Sequence, residues 1–124
     1  MREKILLVED EPALLETIKE YLEPRYYVVT ARNAAQASEA LDTVDFKAII
    51  VDLGLPDISG LAVIKKARKI NKRLAIIALT GDQTLETVQH AMELDIDDYL
   101  VKPVDAEQLH DRIKKAVRHR YVVI

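Results

Sequence analysis

Residues 49–60 read IIVDLGLPDISG, and the fold turns on how they are read. Ile49, Ile50 and Val51 are apolar without alternation, the pattern of a strand covered on both faces of a parallel sheet. Asp52 stands at the end of that run, and carboxylates are almost never fully buried unless paired. No Lys or Arg follows until Lys65. Asp52 therefore needs company from elsewhere in the chain.

Working outward, similar apolar runs occur at Ile5–Val8, Tyr27–Ala31, Ala48–Val51, Leu74–Leu79 and Tyr99–Val101. Between them lie segments of helical period. Leu14, Leu15, Ile18 and Leu22 share a face, as do Ala37, Ala40, Leu41 and Val44. The pattern returns in Leu61, Ile64 and Ala67, in Leu85, Val88 and Met92, and in Leu109, Ile113, Ala116 and Val117. Asn33 with Gln36 and Asp105 with Gln108 have capping spacing, and Ser59 can cap the third helix. Five strand–helix pairs imply an α/β, (βα)5 sandwich around a five-stranded parallel sheet.

The chain has 124 residues, 49% hydrophobic and 31% charged, which fits one domain with a packed core. A net charge of −3 gives no support for general nucleic-acid binding by this domain. The absence of cysteine excludes a disulfide framework, a thiolate metal site and a cysteine nucleophile. The short apolar run in MREKILLVEDEP suits neither a signal peptide nor a membrane span, so a soluble, cytoplasmic domain is expected.

In open parallel sheets, sites form outside the carboxyl ends of the strands. Those ends carry Glu9-Asp10-Glu11, Asp52, Thr80-Gly81 and Lys102-Pro103, whereas Ala31-Arg32 is bland. Polar strand ends are common because loops are solvated, and Glu11 or Asp57 alone fits that account. The set does not. Carboxylates converging on one edge repel one another unless a cation relieves them. A hard divalent ion with oxygen ligands, such as Mg2+, suits a shallow site of this kind, and Lys102 adds a compensating charge.

Together the segments ILLVEDEP, IIVDLGLPDISG, AIIALTG and DDYLVKP resemble the receiver domain of two-component response regulators over essentially the whole chain. The resemblance implies a doubly wound, flavodoxin-like sheet of strand order 2-1-3-4-5, with residues 1–120 as the receiver and 121–124 as a tail or linker. It implies that Asp52 is the phosphoacceptor, aided by Thr80 and Lys102. It also implies Mg2+ bound by Asp10, Asp52 and the Gly54 carbonyl, with Glu9 helping through water. Thr80 and Tyr99 would act as the switch pair, and Lys102-Pro103 would be a cis turn. Gly81 would leave room for the phosphoryl group, and Gly54 and Asp82 would tune its lifetime. The implied partners are a histidine kinase or histidine phosphotransfer protein, an unidentified output, and a second copy through helix 4, strand 5 and helix 5. The domain would be a phosphorylation-driven signalling switch rather than a turnover enzyme.

Glu9 stands where many receivers have Asp, and Asp95 where Gly is frequent; Asp tolerates a left-handed turn better than most residues. A phosphorylation-independent interaction module is the alternative closest to the pattern. A phosphohydrolase of the haloacid dehalogenase type would need an acid where Gly54 stands, and a flavin or nucleotide binder would not place Glu9-Asp10-Glu11 against phosphate. His90, His110 and His119 are expected on the surface, Tyr26-Tyr27 at the sheet edge, and residues 68–73 (RKINKR) as a solvated helix end. Tyr121-Val122-Val123-Ile124 forms an apolar tail.

Overall fold

The computed structural model describes residues 2–81 and 85–121; the side chains of Leu85 and Val88 are outside that description. Five strands, β1 (Glu3–Val8), β2 (Tyr26–Ala31), β3 (Ala48–Asp52), β4 (Ala75–Thr80) and β5 (Asp98–Val101), alternate with five helices. The helices are α1 (Pro12–Leu22), α2 (Ala34–Thr43), α3 (Gly60–Ile70), α4 (Leu85–Glu93) and α5 (Ala106–Tyr121). The sheet order is β2-β1-β3-β4-β5, every pair is parallel, and the expected architecture is the one observed.

The strands read as continuous apolar runs because both faces are covered. Leu6, Val8, Ile49, Val51, Ile76 and Ala78 pack with Ala37 and Leu41 of α2, Val63, Ile64 and Ala67 of α3, and Ala91 of α4. The alternate residues, Ile5, Leu7, Ala48, Ile50, Ile77, Leu79 and Leu100, pack with Leu15, Ile18 and Leu22 of α1 and Leu109, Ile113 and Ala116 of α5. Burying each such Ile or Leu contributes roughly 1.5–3 kcal/mol.

The helix starts follow local chemistry. Asn33 accepts the Gln36 N–H at 2.8 Å, Ser59 accepts that of Leu61 at 3.2 Å, and Asp105 accepts those of Glu107 and Gln108 at 2.9 and 3.3 Å. Pro12 opens α1, where a missing N–H costs nothing.

Three expectations fail. Met92 is 56% exposed, and Ala91 takes the buried face of α4 instead. His110 is buried, with its ring edge-on to Tyr21 and Tyr26 at 6.2 and 5.6 Å. Burial, with Lys114 and Arg25 nearby, lowers its pKa. Arg68, within the segment expected to be solvated, is instead tied down. Its guanidinium donates to the carbonyls of Leu74 at 2.7 Å and Asp95 at 2.6 Å. Tyr26 is buried at the β2 edge while Tyr27 is exposed. Tyr121 belongs to α5, its ring lying 3.7 Å from Lys47 Nζ and 4.7 Å from the Arg73 guanidinium. Residues 122–124 and Asp82 lie outside the described residues.

Candidate functional site

Parallel pairing explains how the polar residues meet. Asp52 ends β3, and Glu9 and Lys102 directly follow β1 and β5, so all three are delivered to the carboxyl edge of the sheet. Lys102 Nζ bonds Asp52 Oδ2 at 2.9 Å and lies 2.8 Å from Glu9 Oε1. The Lys102 backbone N–H, bonded to the Thr80 carbonyl at 2.9 Å, fastens the root of this side chain to the end of β4. Lys102-Pro103 is cis, as expected.

Glu9, Asp10 and Asp52 each present a carboxylate oxygen within 4.8 Å of the others. Glu9 is fully buried and Asp52 is 4% exposed. Burial pushes the Glu9 carboxyl up to about 7, with Asp52 adding to the rise and Lys102 opposing it. Burial would raise Asp52 too, but hydrogen bonds from Glu9, the Gly54 N–H and Lys102 hold it below the usual carboxylate range. The repulsion thus falls on Glu9 while Asp52 stays charged. Lys102 is raised by the two acids against the opposing effect of its own burial.

These residues fit a hard divalent cation. The converging donors are all oxygens, and buried Glu9 Oε1 has no hydrogen-bond partner despite its contact with Lys102. A cleft of about 500 Å³ is lined by Asp10, Asp52 and Lys102 together with Gly54, Thr80, Gly81 and Thr87.

The family model for the response regulator receiver domain matches residues 5–114. The chain belongs to the response regulator receiver family. It is 37% identical over 119 residues to the transcriptional regulatory protein BasR of Escherichia coli K12, covering 93% of this chain and 52% of that protein. A CheY-like receiver domain protein from Methanospirillum hungatei superposes with a TM-score of 0.92 at 29% identity, covering 97% of both chains. A Burkholderia pseudomallei response regulator, solved with a phosphorylated aspartic acid, calcium ion and citrate, gives 0.85 at 28% identity, covering 94% of this chain and 69% of that one. This receiver spans about half the length of curated relatives such as BasR.

Within the receiver, Glu9, Asp10, Asp52 and Lys102 meet as the sequence predicts, and Gly54, Thr80 and Gly81 stand at the cleft wall. A Cβ on Gly81 would meet nothing within 4 Å. Tyr99 does not join them. It is 38% exposed on β5, paired in register with Ala78.

Two contributors escaped the sequence reading. A Cβ on Gly60 would lie 2.2 Å from the Asp52 carbonyl oxygen, so only glycine lets α3 start against the end of β3. The available signal was a glycine directly after a helix cap. Asp57, read as a solvated loop acid, accepts the backbone N–H groups of Ala34 and Ala35 at 2.9 and 3.0 Å. No local pattern announces that contact.

Proposed function

We propose that this receiver is a cytoplasmic, phosphorylation-driven switch in which Asp52 accepts a phosphoryl group from a phosphohistidine on a histidine kinase or phosphotransfer protein. The observation that carries the proposal is the convergence of Glu9, Asp10 and Asp52 within 4.8 Å, with Lys102 bonded to Asp52. An Asp52 carboxylate oxygen attacks phosphorus, the P–N bond to the donor breaks, and its electron pair returns to the imidazole, which takes up a proton. Asp10, Asp52 and the Gly54 carbonyl would hold Mg2+, with Glu9 assisting through water. Mg2+ when bound supplies charge neutralisation at the phosphoryl oxygens. Lys102 supplies a second positive charge, and the Thr80 hydroxyl donates to a phosphoryl oxygen.

The modification adds about −1.5 to −2 charge. Thr80 draws towards it, Tyr99 turns inward from its exposed position, and the α4–β5–α5 face changes for an output partner or a second copy. Such a switch needs two conformations within a few kcal/mol. In this reading the domain itself performs no turnover chemistry on a foreign substrate.

Acetyl phosphate with Mg2+ should add one phosphoryl mass to wild type and none to Asp52→Asn; equal labelling of both would refute the assignment. Thr80→Ala should still be labelled, yet NMR shifts induced by beryllofluoride should stay near Asp52 instead of reaching Tyr99 and α4. Long-range shifts of equal size in both proteins would remove Thr80 as the relay.

A further inference from the structure

We propose that Asp57 is a positioning residue for the metal and phosphoryl site, acting through the loop that carries Gly54. The inference rests on the Mg2+ reading above. Residues 53–59 connect β3 to α3, and the Asp57 carboxylate reaches out of that loop to α2. Its Oδ1 accepts from Ala34 at 2.9 Å and its Oδ2 from Ala35 at 3.0 Å, across 23 and 22 residues of sequence. Helix α2 already has a cap of its own. Asn33 accepts the Gln36 N–H, and the Asn33 carbonyl takes that of Ala37. A two-pronged bond from a distant loop therefore adds a tether for the loop as well as a second cap.

The Gly54 N–H donates to Asp52 Oδ1 at 2.9 Å, and the Gly60 N–H donates to the Leu53 carbonyl at 3.0 Å. Between them Leu55 packs against the core and Ser59 caps α3, while among the described contacts Asp57 carries the loop's side-chain hydrogen bonds to another element. Gly54 lines the cleft, three residues before Asp57. A carboxylate at a helix N-terminus is favoured by the helix dipole, and its hydrogen bonds to Ala34 and Ala35 keep Asp57 ionised. The brace therefore steadies the strip of backbone from which the Gly54 carbonyl would serve the metal. Groups that orient metal ligands in this way typically change affinity by about 10–100-fold when removed.

The test separates a tether from a cap. Asp57→Ala and Asn33→Ala each remove hydrogen bonds from the same helix end, but only Asp57→Ala frees the loop. Mg2+ titration of the whole chain by calorimetry is paired with metal-free urea unfolding. Both variants should show a lower urea midpoint, whereas Mg2+ affinity should fall about tenfold in Asp57→Ala alone. Asp57→Asn keeps one acceptor oxygen and should lose less in the same direction; it carries the test if Asp57→Ala fails to fold. Unchanged Mg2+ affinity in Asp57→Ala, or equal weakening in Asn33→Ala, would overturn the proposal and leave the Mg2+ reading standing. A wild type that binds no Mg2+ would overturn both.

Discussion

The two ends of the sheet hold charged clusters built on opposite terms. At the carboxyl end, Glu9, Asp10 and Asp52 converge beside Lys102, the one cation paired with them among the described residues. At the amino end, where β4 and β5 begin, Asp95 and Asp97 face Arg68 and Arg120. Arg120 Nε donates to Asp97 Oδ1 at 2.7 Å, and its Nη2 donates to Asp95 Oδ1 at 3.1 Å. Asp97 Oδ2 accepts the Ile76 N–H at 2.8 Å, and the Asp95 carbonyl accepts from both arginines. One end pairs its two acids with two arginines, leaving only the buried Arg68 Nε without a hydrogen-bond partner among the described atoms of the cluster, and is a fastening for α3, α5 and the turn before β5. The other holds more negative charge than its lysine offsets, a donor set suited to a hard cation. Charge balance, more than burial, separates the fastened end from the end proposed as the functional site.

The largest effect should come from breaking the balanced end. Arg120→Ala removes the close ion-pair partner of Asp97, whose side chain is 5% exposed, leaving it Arg68 at 3.6 Å and the Ile76 N–H, and should cost about 3 kcal/mol in urea unfolding while sparing Mg2+ affinity. A loss under about 1 kcal/mol would reduce the cluster to the worth of a surface ion pair. Supplying the missing charge at the other end comes next. Mg2+ at about a hundred times its Kd should stabilise wild type by about 2.7 kcal/mol, and Asp52→Asn by much less. Equal increments in both proteins would place the ion elsewhere.

The pH dependence of the metal-free domain isolates Glu9. Its carboxyl is raised from 4.5 to about 7, so its contribution to stability is complete below pH 4.5 and is lost as pH rises through 7. Wild type should lose about 1–2 kcal/mol across that window, and Glu9→Gln should remove the slope and be the more stable protein at pH 8. A wild-type stability that rises over the same range would contradict the imbalance. The smallest effect sharpens the role of Asp95, which has φ 60. Asp95→Gly relieves the left-handed backbone while removing a carboxylate that is 68% exposed, so it should stay within about 0.5 kcal/mol of wild type. Asp95→Ala keeps the strain, loses the charge, and should cost about 1–2 kcal/mol by thermal or urea unfolding.

The order of elements was legible because burial on both sheet faces writes itself as unbroken Val and Ile runs, and helix faces as a 3.6-residue period. The acidic site was legible for a related reason: parallel strands deliver their carboxyl ends to one edge, so residues following the strands meet whatever their spacing in sequence. His110 was misread because a histidine on a helix carries no mark of the tyrosines across the interface. Met92 was misread because a helical period tolerates a shift of one residue, and Ala91 could take the inner face.

By itself, then, the sequence determined five strand–helix units, the caps of α2, α3 and α5, and the meeting of Glu9, Asp10, Asp52, Thr80 and Lys102. Only the tertiary structure decided that Arg68 and Arg120 are structural, since their partners Asp95 and Asp97 lie up to 29 residues away. A basic residue in the last turn of a helix reads the same whether it complements the dipole in water or reaches across to another element. The same holds for Asp57 and Gly60. What each does depends on a backbone N–H or carbonyl brought close by folding, and backbone groups are identical at every position of the chain.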